Sequence, residues 1–197
     1  MTEDFFNLTP DIILNLVESL GLNPTGHCFA LNSYENRVYS VKLEENENIV
    51  VKFYRPGRWT KEQILEEHKF LFDLVESEVP VCAPRIFKGE SLFEKNGIYT
   101  AIWNRTGGRA PEELSEEELK MLGRYLGRLH NVGASKHPNH RIQLSAEKYG
   151  REPLRFLTDK GFIPITLQKK YSELVTEICD VYETYLEDEP FIRIHGD

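Results

Sequence analysis

No apolar run in this chain approaches the ~18 residues that a membrane-spanning helix needs, so no transmembrane segment and no membrane partner are expected. Basic residues are in deficit. Lys and Arg total 24 against 32 Asp and Glu, a formal charge of −8 over 197 residues. Proteins that track nucleic-acid phosphates carry a basic footprint, so a nucleic-acid partner is not expected; a small anion in a locally positive pocket is still compatible. Cysteine is scarce: Cys28, Cys82 and Cys179 are far apart, odd in number and form no C-x-x-C pair. Neither a zinc site nor a disulfide framework is indicated, and a reducing cytoplasm is the expected location. The acidic start, Met-Thr-Glu-Asp, lacks the basic and apolar regions of a secretory leader. The Walker A and G-x-S-x-G patterns are absent, as are internal repeats and low-complexity tracts. His68, His130, His137 and His140 have no partners at metal-ligand spacing, so packing or surface roles are expected for them. What is present is ordinary: 40% hydrophobic and 28% charged residues argue for a folded core rather than disorder.

Periodicity divides the chain. Thr9 as N-cap, Pro10 at the first position and Gly21 after the last turn predict a helix over 11–20. Strands are expected at 27–31, 37–43 and 49–54, then near 85–88 and at 98–103, giving a five-stranded sheet. Between the third and fourth lies an amphipathic helix over 61–76. Its apolar face carries Ile64, Leu65, His68, Leu71, Phe72 and Val75, while Glu66, Lys69 and Asp73 face away and Glu67 sits on the flank. Past a loop or hinge at 104–108 the chain turns helical. A capping box, Ser115 to Glu118, opens a helix over 116–131 with Leu119, Leu122, Leu126 and Leu129 as its stripe and Gly133 as its cap. Gly123 and Gly127 suit close approach of another element. Residues 134–165 read as loop-rich, 166–187 as a second long helix, and Phe191 to Ile194 as a short strand.

Four positions carry chemistry. Lys52 stands in an apolar strand and shares its face with Val50 and Tyr54. It is either a lysine snorkelling at a strand edge or one that meets nucleotide phosphates, as the strand lysine of kinases does. Glu67, on the flank of an apolar helical stripe, either touches water or needs a cation, and Lys52 on the preceding strand can supply one. The loop Asn32 to Asn36 is either a plain hairpin of turn formers or a phosphate cover. It lacks the usual glycines, but Ser33 offers a hydroxyl and an N–H. Asp197 ends the triplet His195-Gly196-Asp197, which follows the expected strand. It is either a chance loop residue or the proton acceptor of a phosphoryl transfer.

Five blocks together carry a resemblance: Leu31 to Tyr39 (LNSYENRVY), Val51 to Pro56 (VKFYRP), Ile64 to His68 (ILEEH), Glu78 to Val81 (EVPV), and Gly123 to His130 (GRYLGRLH). They resemble the bacterial stress-response kinases of the aminoglycoside-phosphotransferase-like branch of the protein-kinase-like fold. The resemblance implies an α+β fold with a five-stranded antiparallel N-lobe and the start of a helical C-lobe. It implies an ATP-dependent serine/threonine protein kinase that uses ATP and Mg²⁺, acts on protein substrates and is monomeric. By position, Ser33 is the ATP loop residue, Lys52 holds the phosphates, Glu67 is its ion-pair partner and Asp197 is the proton acceptor. The metal ligands of the family, an asparagine and a later aspartate, are expected beyond residue 197.

The expected organisation is a helical extension over 1–26, a nucleotide-binding N-lobe over 27–104, and a C-lobe over 105–197 truncated at its catalytic loop. Such a fragment is expected to be inactive by itself, with a half-core left exposed. Two other readings stand beside the protein kinase. One is a small-molecule kinase of the aminoglycoside or amino-alcohol type. The other is a non-catalytic nucleotide-binding module.

Overall fold

Val41, Leu43, Ile49, Val51 and Phe53 recur at alternate positions and are buried, which is the pattern of strands with one face on a core. They lie on β2 (Arg37–Leu43) and β3 (Asn48–Phe53). The computed structural model describes residues 2–109, 111–186 and 190–196. In it β1 (Pro24–Leu31), β2, β3, β4 (Phe93–Lys95) and β5 (Ile98–Asn104) form one antiparallel sheet in the order β1-β2-β3-β5-β4. One face of the sheet packs Val41, Ile49, Val51, Phe53 and Ile102 against Phe5, Ile13, Leu16 and Val17. Those last four belong to α1 (Thr2–Phe6), which the sequence did not signal, and α2 (Pro10–Ser19). α2 closes as expected. Gly21, at φ 85°, donates its N–H to the Glu18 carbonyl and Leu22 donates to that of Val17.

The fourth strand is not at 85–88. That stretch only touches the sheet, through the Arg85 N–H to the Ile102 carbonyl at 2.6 Å. Lys88 and Gly89, both at positive φ, then turn the chain away. β4 runs instead into β5 through Asn96-Gly97, at φ 52° and 75°. An Asn-Gly pair of this kind twists with the strands it joins, and it was the sequence signal for this hairpin.

α3 (Lys61–Glu76) opens on a capping box between Thr60 and Gln63. Its buried residues are Ile64, His68, Asp73 and Leu74. Asp73 therefore does not face solvent as expected, while Leu65 and Val75 are exposed. The reason is that the helix serves two neighbours. Its first half packs on the sheet through Ile64, beside Tyr54, Ala101 and Trp103. Its last turns bury Leu74 and Phe70 with Val79 and Leu129. No single helical stripe describes both contacts.

Leu129 belongs to α4 (Glu116–Ala134), which begins at the Ser115 capping box and ends at Ser135, so Gly133 lies inside the helix rather than capping it. Arg128 donates Nη2 to the carbonyls of Ser77 (3.0 Å) and Glu78 (2.8 Å) and ties α4 to the end of α3. Leu119, Leu122 and Leu126 are exposed. A methyl group added at Gly123 or Gly127 meets nothing within 4 Å, so no described element approaches closely there.

Two compact units result, Met1–Ser135 with Ile194–Asp197, and Lys136–Arg193. The boundary drawn near 104 followed composition. α4 falls in the same compact unit as the sheet, held to the end of α3 by Leu129 and Arg128. The second unit replaces an expected loop with a π-helical turn, Glu147–Arg151, and α5 (Glu152–Asp159), which carries a proline in its first turn. These pack on α6 (Ile165–Thr184). The turn meets α6 where Gly150 faces Cys179: a Cβ on Gly150 would lie 2.2 Å from the Cys179 Sγ. Arg151 donates to Asp180 and Glu183, which follow Cys179 on α6. Along α6, Leu167, Tyr171, Leu174 and Ile178 are exposed, an uncovered apolar face. Phe191 to Ile194 form no strand, because no described segment pairs with their backbone. No described helix is long and apolar enough to cross a membrane.

Candidate functional site

Lys52 lies near the end of the central strand β3, between Val38 of β2 and Ala101 of β5. Alternation turns its side chain to the α3 face of the sheet, with Tyr54 on β3's continuation and Trp103 on β5. The Lys52 Nζ lies 4.0 Å from Glu67 Oε1 on α3. Both side chains are partly open, 24% and 32% exposed, so the pair is reachable by a ligand and is weakly held by Coulomb attraction alone. The same Nζ sits 4.4 Å from the centroid of the Tyr54 ring and 5.6 Å from that of Trp103.

Behind the lysine is a buried polar cluster that periodicity had assigned to packing. His68, 1% exposed, takes the Tyr54 hydroxyl on Nε2 at 3.0 Å and Ser91 Oγ on Nδ1 at 2.9 Å. Its ring meets Trp103 edge to face, 5.9 Å between centroids. Burial and, after it, the Lys52 charge push the His68 pKa down to about 4, so the imidazole is neutral at physiological pH. Ser91 and Tyr54 are buried as well. Neither was singled out in the sequence as a partner of His68.

The loop carrying Ser33 joins β1 to β2, and Arg37, where β2 begins, pairs with Phe53. The loop therefore stands at the end of the sheet where Lys52 lies. It is tied down there. Arg58 donates Nε to both Glu35 carboxylate oxygens, at 3.0 and 3.2 Å, and the Arg55 N–H donates to Asn36 Oδ1 at 3.3 Å. The Ser33 hydroxyl donates to the Asn36 carbonyl inside the loop. With that proton committed, the group Ser33 can offer an external oxygen is its backbone N–H. Asp197 lies outside the described residues, so its position relative to Lys52 carries no geometry. Thus the fold assembles Lys52 and Glu67 and brings the Ser33 loop to the same sheet end. Among the described residues no group of three His, Cys, Asp or Glu side chains could hold a metal ion.

Residues 29–197 match the family model described as the phosphotransferase enzyme family. A curated relative from Shigella flexneri, "Stress response kinase A", is 40% identical over 194 residues, which is 98% of this chain and 59% of the relative. "Serine/threonine protein kinase RdoA" of Salmonella typhimurium (strain LT2) is 37% identical over the same length and shares. The chain thus spans about three-fifths of the length of the curated relatives it matches. Among solved structures, an amicoumacin kinase in complex with AMP-PNP, Ca²⁺ and Ami superposes with a TM-score of 0.65 at 17% identity, covering 92% of this chain and 55% of that one. That likeness establishes the α+β, protein-kinase-like fold.

Proposed function

Because the chain belongs to the phosphotransferase enzyme family, we propose that it is the nucleotide-binding part of an ATP-dependent serine/threonine protein kinase that acts in the bacterial stress response. The observation that carries the reading is the Lys52–Glu67 pair, a strand lysine and a helix carboxylate 4.0 Å apart on one face of the sheet. The names of the relatives from Shigella and Salmonella support the acceptor class and the stress role.

In this reading the Lys52 ammonium holds the nucleotide phosphates and Glu67 fixes where that ammonium stands. Ser33 covers the phosphates with its backbone N–H, its hydroxyl proton being held by Asn36. The nucleotide supplies the γ-phosphoryl group. Asp197 orients a serine or threonine hydroxyl of a protein and takes its proton. A bond forms between that oxygen and the γ-phosphorus, the bond to the β-phosphate oxygen breaks, and ADP leaves. Among the described residues no three His, Cys, Asp or Glu side chains gather to hold a metal ion, and in this reading the ligands of the Mg²⁺ lie beyond residue 197. The reading sets the enzyme in the cytoplasm, in keeping with three free thiols at Cys28, Cys82 and Cys179.

The test is transfer of radiolabel from ATP to casein or myelin basic protein by the full-length protein and its Lys52→Met variant. The expected result is transfer by the wild type that falls about 100-fold in the variant. Equal transfer by both would remove Lys52 from the site. Label appearing only on an aminoglycoside or amino alcohol would move the reading to a small-molecule kinase. Nucleotide binding without transfer to any acceptor would make the chain a non-catalytic module.

A further inference from the structure

The Lys52 ammonium rests against an aromatic ring as well as near Glu67. Its Nζ is 4.0 Å from the nearest carboxylate oxygen of Glu67, at the outer limit of an ion pair, but only 4.4 Å from the centre of the Tyr54 ring. Cation–π attraction acts over that range. Glu67 is one-third exposed and is screened by water. The Tyr54 ring is 2% exposed and not screened. A buried ring is also a fixed surface, and a chain of contacts through His68 holds this one. Its hydroxyl bonds His68 Nε2, His68 Nδ1 bonds Ser91 Oγ, and the imidazole abuts Trp103, whose own ring is the second aromatic wall around Nζ.

We propose that Tyr54 is the positioning residue for Lys52: its ring is the seat of the ammonium, and the chain Tyr54–His68–Ser91 locks that ring in place. The inference rests on the reading of Lys52 as the phosphate-holding group and adds what aims it. The charges support the direction of the hydrogen bonds. A cation over a phenol ring draws electron density from it and makes the O–H a better donor. Tyr54 therefore donates to Nε2, and the neutral imidazole carries its proton on Nδ1, toward Ser91. A neutral His68 is required for this order, since an imidazolium would donate from both nitrogens and stand near a second cation. Lysine is thereby given a rigid seat on one side while a partly open side is left for an anion. Glu67 completes the seat from α3.

Two measurements test the seat. The first needs no nucleotide. In proton–carbon spectra of the isotopically labelled protein, the Lys52 Cε protons are assigned by their loss in Lys52→Arg. Above a ring they resonate upfield of the other lysines. That displacement is expected to fall in Tyr54→Leu to the smaller one that Trp103 alone causes and to shrink in His68→Gln, with tryptophan fluorescence showing that both variants are folded. Tyr54→Phe, which keeps the ring, is expected to retain most of it. The second measurement is ATP affinity by calorimetry on the full-length protein. Tyr54→Leu is expected to bind about tenfold more weakly, with Tyr54→Phe recovering most of the loss. A Lys52 signal that is not displaced, or that is displaced as far in Tyr54→Leu as in the wild type, overturns the proposal. So does an ATP affinity that falls in Lys52→Met but not in Tyr54→Leu. A displaced Lys52 signal with ATP affinity unchanged in Lys52→Met overturns instead the nucleotide reading beneath the proposal, so the two failures are distinguishable.

Discussion

Acid should loosen the sheet unit through one residue, His68. Its imidazole is buried and neutral, with a pKa pushed down to about 4 by burial and by the Lys52 charge. In the unfolded chain it returns to about 6.5. The unfolded state therefore binds more protons between these values, and stability must fall as pH drops through that window. Above 6.5 neither state is protonated and the effect is absent. Below 4 both are protonated and the loss is complete. Integrated over the window, the two values give about 3 kcal/mol in full and about 2 kcal/mol between pH 7 and pH 4.5. The assay is urea unfolding followed by tryptophan fluorescence. Trp59 and Trp103 are the two tryptophans of the chain, and both pack in the cluster formed around Tyr54 and Ile64, so the signal reports this unit. The control is His68→Gln, which keeps a polar group and cannot titrate. Carboxylates titrate in both proteins and cancel in the comparison. Wild type is expected to lose about 2 kcal/mol more than His68→Gln over that interval. Parallel curves for the two proteins would refute the assignment of a neutral, depressed His68.

In the second unit, Gly150→Ala drives a Cβ to 2.2 Å from the Cys179 Sγ. It should destabilise by about 1–3 kcal/mol in thermal unfolding, and Cys179→Ala, which removes the sulfur, should recover most of that; additive losses would sink the contact. Thr60→Ala breaks the capping box of α3 and is expected to cost about 1 kcal/mol, read as a lower urea midpoint. Glu67→Gln should change stability by less than about 1 kcal/mol, because the pair is partly exposed, yet weaken ATP binding in calorimetry. A large stability loss with unchanged binding would make the pair structural. Arg128→Met should raise amide exchange at the end of α3, where two carbonyls lose their charged donor.

Much of this was legible in one dimension. Alternation placed β2 and β3, the caps at Thr9 and Ser115 placed two helix starts, and the face shared by Lys52 and Tyr54 followed from the period of a strand. The order serine loop, strand lysine and helix glutamate also stood in the sequence, as did the five blocks that carry the family. Local rules suffice there because each is set by neighbours a few residues away. β4 was misplaced although Asn96-Gly97 announced its turn, since extended residues near 85–88 look like a strand until the sheet chooses its edge. The buried side of α3 was misjudged at Asp73, Leu65 and Val75 because two different partners, the sheet and α4, divide that helix between them. His68 is the clearest case. The sequence by itself determined that it lies on the apolar side of α3, one residue from Glu67. Only the tertiary structure decided what it is, because Tyr54, Ser91 and Trp103 come to it from just past β3, from a loop and from β5, up to 35 residues away. A histidine's protonation state depends on burial and on the charges around it, and those exist only once these distant segments have packed together.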